Sequence, residues 1–195
     1  MAAPPEQKRT HSSESRYMQK VLHTSRLTLR PCDEADIELL HRHWTEPDVR
    51  RYLWDGRTVS KETVREFVHA SLESSRKRDY GLWILLSKPE GAFRGVCGLR
   101  DGELAWPELL YSVTPKHWGR GLVTEGACCV LRQAFEELGL RGVVATVDKP
   151  NVASIRVLEK LGLYVTDEKL IHGNPILYYA VSQERFRSSE QRPRP

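Results

Sequence analysis

The chain has 195 residues, 39% of them hydrophobic and 29% charged, with a formal net charge of +4. That length fits one domain with tails, large enough to fold without disulfide or metal staples, and no apolar run approaches the ~20 residues of a membrane span. The charge excess sits at the ends: 1–20 carries four basic and two acidic side chains, 187–195 three and one, and 21–186 holds 23 of each sign, so the composition points away from a nucleic-acid-binding face.

Residues 1–20 and 187–195 are rich in Pro, Ser, Gln, Glu and Arg. Such segments cannot offset their ordering entropy and are expected to be disordered tails around one domain at 21–186. The N-terminus lacks the apolar stretch of a secretory signal. Arg26–Arg30 alternates like a half-buried strand that Pro31 ends. Asp33 caps a predicted helix with Ile37, Leu40, His41 and Trp44 on one side. Ser60 caps a second, with Val64, Phe67, Val68 and Leu72 at helical spacing. Trp83–Leu86 and Val96–Leu99 read as a hairpin through Pro89-Glu-Gly91, and Leu109–Val113 as the next strand. A glycine-rich turn then opens an amphipathic helix running from Val123 to Leu138, which Gly139 stops. Val143–Val147 has almost no polar residue and reads as a strand buried on both faces. Asn151 caps another helix, with Ile155, Leu158 and Leu161 inward, and Leu163–Val165 and Ile176–Val181 are strands joined through His172-Gly-Asn-Pro175. This order describes a mixed α/β layered fold, and the antiparallel run before the turn argues against a dinucleotide-binding winding.

The four cysteines, Cys32, Cys97, Cys128 and Cys129, show neither a CxxC nor zinc spacing. They read as small core residues in a reducing, cytoplasmic setting, with no metal site. The turn itself, His117-Trp-Gly-Arg-Gly-Leu-Val-Thr-Glu-Gly126, pairs tightly bending glycines with a helix N-terminus, which together suit phosphate oxygens. No Gly-Lys-Ser/Thr follows, so it is not a P-loop.

About 30 residues later comes Asn151-Val-Ala-Ser-Ile-Arg-Val-Leu-Glu-Lys-Leu-Gly162. The pair resembles the acetyl-coenzyme A signature of the GNAT superfamily. More narrowly, Thr24-Ser-Arg-Leu-Thr-Leu-Arg-Pro31, Cys97-Gly-Leu-Arg100 and Glu108-Leu-Leu-Tyr111 resemble the branch containing the ribosomal-protein N-terminal acetyltransferases. The similarity spans roughly 22–184. It implies a largely antiparallel sheet flanked by helices, with splayed fourth and fifth strands between which pantetheine pairs with backbone groups at Ser112 and Val113. It further implies pyrophosphate on the amides of Trp118, Gly119, Arg120, Gly121, Leu122, Val123 and Thr124. Asn151 is then expected on the pantetheine arm, Ser154 near the thioester sulfur, and Arg120 and Lys149 toward the 3′-phosphate. Four departures stand out. Trp118 replaces a usual Gln or Arg. Val123 replaces a small residue and is expected to crowd the loop. Leu110 replaces a Gly and is expected either to reduce a bulge or to narrow the acceptor channel. Leu158 stands where some relatives carry an acidic Tyr.

The implied chemistry is attack of an amine on an activated thioester in a ternary complex, with positioning as the main effect and the Val113 N–H polarising the carbonyl. An α-amine is partly neutral at pH 7.4, whereas about 0.1% of a free lysine is, so a protein N-terminus demands less of a base. Glu108 is the leading base, with Glu103 behind it, and Ser154 can return a proton to the thiolate. His172 can line the acceptor site. Tyr111 reads as packing beside the channel, and Glu125 as serving the helix dipole or the loop. A small-molecule acceptor (aminoglycoside, polyamine or amino acid) and a non-catalytic acyl-CoA binder are the rival readings. Neither a membrane nor nucleic acid is expected as a partner, and the chain is expected as a monomer or homodimer.

Overall fold

The computed structural model describes residues 20–190 apart from Asp55 and Glu103. The tails at 1–19 and 191–195 and the candidate Glu103 therefore lie outside the described residues.

Leu27 and Leu29 alternate inward in β2 (Leu27–Pro31) and are fully buried. A two-residue strand, β1 (Leu22–His23), pairs along its outer side. Asp33 caps the next turn as expected, accepting from Ala35 N at 2.8 Å, while Asp36 accepts from Asp33 N at 2.9 Å. That turn, Glu34–Asp36, runs into α1 (Ile37–Thr45). His43, rather than the expected His41, is the buried histidine of this helix. A helix not legible in the sequence, α2 (Pro47–Leu53), begins on Pro47, a position where the missing N–H costs nothing. Ser60 caps α3 (Lys61–Arg78), accepting from Thr63 N at 3.1 Å.

The hairpin β3 (Leu82–Ser87) and β4 (Phe93–Arg100) leads to β5 (Glu108–Val113). Helix α4 (Leu122–Arg132) continues through a wider π turn, Gln133–Glu137. After β6 (Gly142–Asp148) come α5 (Val152–Lys160), β7 (Tyr164–Ile171), β8 (Asn174–Ser182) and α6 (Gln183–Glu190). Helix α6 extends four residues into the segment expected as a tail from 187. Its anchor is Phe186, 1% exposed, whose ring lies 5.1 Å from that of Phe135. β7 is also longer than the expected Leu163–Val165, and all eight of its residues are exposed at the sheet edge.

The eight strands form one sheet in the order β1-β2-β3-β4-β5-β6-β8-β7, with every neighbouring pair antiparallel except β5–β6. One face packs against α4 and α5 around Leu131, Phe135, Leu158 and Tyr179; the other packs against α1–α3 around Leu40, Trp44, Val64 and Val68. Burial of Trp44, Leu40 and Val64 to 0% exposure is what locks the helical layer to the sheet, and truncating Trp44 would cost about 3–5 kcal/mol. Among the described residues no helix is long and apolar enough to cross a membrane.

Candidate active site

The parallel pair β5–β6 registers at one position only, Glu108 opposite Val144, with Val144 N donating to Pro107 O at 3.0 Å. Beyond that point the strands part, which is the expected splay of the fourth and fifth strands once the two-residue β1 is counted. On its other side β5 stays paired with β4 along its whole length, from Arg100 opposite Glu108 to Gly95 opposite Val113. Strand alternation then decides which backbone groups face the gap. Thr114 N donates to Arg94 O at 2.9 Å, and Ser112 lies opposite Val96. The even-numbered residues therefore hand their backbone groups to β4, and Tyr111 and Val113 turn theirs to the gap. This corrects the expectation for Ser112. Its hydroxyl also faces away, lying 2.9 Å from His43 Nε2 and accepting from Trp44 Nε1 at 3.3 Å.

The gap is a cleft of about 130 Å³ lined by Tyr52, Arg100, Glu108, Tyr111, Thr146 and Ser154, among others. Thr146 is exposed, so β6 is not buried on both faces as its composition implied. Glu108 lies at the floor, 7% exposed. Its Oε2 accepts from Arg100 Nε at 2.8 Å and pairs with Arg100 Nη2 at 2.6 Å, while Oε1 accepts from Thr146 Oγ1 at 2.6 Å. A carboxylate offers about four acceptor sites, which leaves one on Oε1. The Arg100 guanidinium also lies 5.5 Å from the Phe67 ring centre, and Phe67 stacks edge-on with Trp44 and Trp54.

Across the cleft, Asn151 Oδ1 accepts from Ser154 N at 3.2 Å and so caps α5. Ser154 Oγ lies 2.7 Å from Tyr111 Oη. Burial pushes the Tyr111 phenol well above its ordinary range, against the opposing bond from Ser154. Tyr111 is thus more than the packing residue its strand position implied.

Beyond the end of β5, Gly119 and Gly121 adopt φ of +71° and +73°, a region closed to most side chains. A Cβ at Gly119 would meet nothing within 4 Å, so the space above it is open. Gly121 is the N-cap of α4 and, unlike Ser60 and Asn151, supplies no side-chain cap, so the first-turn amides and positive dipole end are left for another acceptor. Val123 packs its side chain against the main core. Leu122 is buried, and Thr124 half-buried. The exposed Trp118 donates from Nε1 to Val113 O at 2.7 Å, on the open side of β5. Glu125 gathers donors from Thr24, Ser25 and Arg26, and these hold its carboxyl below the usual range although burial alone would raise it.

Lys149 Nζ is paired with Glu168 at 2.7 Å. Arg120 is exposed, and its carbonyl accepts from Arg26 Nη1 at 2.8 Å. His172 sits exposed at the β7–β8 turn with φ of +49°, away from the cleft lining. Cys32, Cys97 and Cys128 are buried and Cys129 is half-buried. Sequence reasoning missed Arg100, Thr146 and Arg26. Arg100 had one readable signal, since the antiparallel hairpin sets it beside Glu108; the pairing of Thr146 depends on the β5–β6 register and had none.

Comparison with known proteins shows the family and the fold. Residues 26–164 match the acetyltransferase (GNAT) domain family. The uncharacterized protein YkkB of Bacillus subtilis (strain 168) is 31% identical over 160 residues, covering 80% of this chain and 92% of that protein. A putative GNAT-family acetyltransferase structure from Bordetella pertussis superposes with a TM-score of 0.72 at 24% identity, covering 83% of this chain and 99% of that one. The structure of RimL, the ribosomal L7/L12 alpha-N-protein acetyltransferase, in complex with coenzyme A superposes at 0.70 with 17% identity, covering 84% and 98%. The chain belongs to the GNAT acetyltransferase family and is an acyltransferase that uses acetyl-CoA as its donor.

Proposed function

We propose that this enzyme transfers the acetyl group of acetyl-CoA to a primary amine, with a peptide N-terminus as the favoured acceptor, by direct attack within the β5–β6 cleft. The observation that carries this reading is the single-point pairing of β5 with β6, which leaves the backbone groups of Tyr111 and the N–H of Val113 facing the gap, while the Val113 carbonyl already accepts from Trp118. The pyrophosphate fits the loop 118–121 and the uncapped first turn of α4, where unpaired amides and the dipole favour an anion. The space above Gly119 admits it without a side-chain clash. Pantetheine would run from the loop along Val113 toward Tyr111, with the Asn151 amide NH₂ free to meet its carbonyls. The bound acetyl-CoA supplies an acetyl group already activated as a thioester.

The residues of the chain divide the remaining work. Because Tyr111 lies deeper than Val113 and next to Ser154, its N–H is the better-placed donor for charge developing on the carbonyl oxygen. Ser154, held by the Tyr111 hydroxyl, donates a hydrogen bond to the departing thiolate, and the proton that the amine releases completes the thiol. The remaining acceptor site on Glu108 Oε1 orients a water that takes the amine proton.

The acceptor reading rests on room. Among the described residues two carboxylates line the cleft, Glu108 and Asp148, and the first is paired with Arg100. Arg100 also lines a second groove of about 300 Å³, with Phe67, Ala70 and Ser74. That groove gives room for residues following the amine, which supports a peptide over a small amine. Thiol release measured with acetyl-CoA and a panel of amines tests this. Peptides with Ala, Ser or Met at the N-terminus should outpace spermidine, an aminoglycoside and free amino acids. Faster turnover of spermidine would overturn the acceptor assignment, and no release with any amine would favour a non-catalytic acyl-CoA binder.

A further inference from the structure

The 24–26 segment, ahead of β2, is joined to the glycine loop by one side chain at each end. Glu125, in the first turn of α4, accepts at Oε1 from Thr24 Oγ1, from Ser25 Oγ at 3.1 Å and from Arg26 N at 2.9 Å. Its Oε2 accepts from Arg26 Nε at 2.6 Å. The same guanidinium donates from Nη1 to the carbonyl of Arg120 at 2.8 Å. One planar fork therefore spans the carboxylate at the helix start and the backbone of the loop residue between the two glycines. Glu125 is 17% exposed at its side chain and Arg26 50%. The carboxylate is thus sheltered, while the cation remains at the surface on the loop side.

The consequence for the loop is specific. Gly119 and Gly121 leave the segment with little conformational preference of its own, and no side chain caps α4. The bond from Arg26 fixes the direction of the Arg120 carbonyl, and with it the neighbouring peptide planes and the direction of their N–H groups. We propose that Arg26 and Glu125 form a clamp that presets the 118–121 loop for acetyl-CoA, which makes Arg26 a positioning residue for the donor and not for the acceptor. This rests on the reading that the loop carries the pyrophosphate. Preorganisation of this kind acts on binding, because a loop already ordered loses less freedom when the ligand arrives. It leaves the reacting groups at Tyr111, Ser154 and Glu108 untouched.

The test uses the full chain with Arg26→Lys and Glu125→Gln. A lysine keeps the charge beside Glu125 but cannot bridge to the Arg120 carbonyl at the same time. A glutamine keeps an acceptor for Thr24 and Ser25 but presents the wrong charge state to Arg26. Each variant should raise KM for acetyl-CoA, and the calorimetric Kd for coenzyme A, by about tenfold, the scale of one charge-assisted hydrogen bond. kcat at saturating donor should stay within about twofold of the unaltered chain, as should KM for the amine. The double variant should be no worse than the worse single, because the two residues act as one unit. A fall in kcat with KM unchanged, unchanged binding in both variants, or additive losses would each overturn the clamp. If the unaltered chain binds coenzyme A and the variants bind equally well, the clamp alone fails; if the unaltered chain does not bind it, the reading of the loop fails with it.

Discussion

Replacing Tyr111 with Phe removes one oxygen and leaves the ring, so packing is conserved and the effect isolates the bond to Ser154. That bond is 2.7 Å long, with a second contact of 3.3 Å to the Ser154 carbonyl. The net loss for one neutral hydrogen bond is about 1 kcal/mol, which lowers Tm by about 2–4 °C in a domain of this size. Catalysis should suffer more than stability. With the phenol gone, the Ser154 hydroxyl rotates freely and points at the sulfur only part of the time, so kcat for thiol release should fall about tenfold, about 1.4 kcal/mol of barrier, at unchanged KM for acetyl-CoA. Ser154→Ala should lose at least as much, and the double variant should match Ser154→Ala alone, since Tyr111 acts only through that hydroxyl. Additive losses, or a Tyr111→Phe enzyme as fast as the unaltered one, would refute the relay.

Three further outcomes follow from the same geometry. Glu108→Gln leaves the Arg100 cation at the cleft floor without its carboxylate; it should cost about 1–3 kcal/mol by urea unfolding, less than for a fully buried pair because Arg100 is partly exposed, and should lower kcat by about 100-fold. His43 is 3% exposed, and burial, outweighing its bond to Ser112, drops its pKa from 6.5 to about 4. Its depressed value means the unfolded chain takes up the proton first as pH falls, so stability is full above about 6.5 and declines by about 3 kcal/mol on the way to pH 4; His43→Leu should flatten that part of a Tm-versus-pH curve. Trp118, 53% exposed and bonded to the Val113 carbonyl on the open side of β5, should change its fluorescence when coenzyme A is added, and Trp118→Phe should abolish that component of the signal.

How much of this was readable in advance varied with the kind of interaction. The caps Ser60 and Asn151, the alternation of Leu27 and Leu29, and the stripe along α4 are local patterns, and each appears where its spacing put it. Helix α2 was not readable, because Pro47-Asp-Val-Arg-Arg-Tyr-Leu53 shows one buried residue and no stripe. The glycine-rich turn ahead of α4 was legible from residue type, and the helix begins at Leu122, one residue before the expected Val123. The chemistry of the cleft depends on which strands lie side by side. Glu108 meets Thr146 because β5 and β6 touch at one register point, a contact 38 residues apart in sequence. Ser112 was misassigned for the same reason, since the direction of a strand's backbone groups follows from its partner's register. Val123, expected to crowd the loop, packs into the core because its place on α4 faces the sheet.

The central claim is that the β5–β6 gap and the 118–124 loop together form the acetyl-CoA site. Calorimetry of the full chain with acetyl-CoA and with S-acetylpantetheine, which lacks the phosphates, measures both halves at once. Acetyl-CoA should bind at a single site with a Kd below about 1 mM, and the truncated donor at least about 100-fold more weakly. No heat with acetyl-CoA, or equal affinity for the two donors, would contradict the claim.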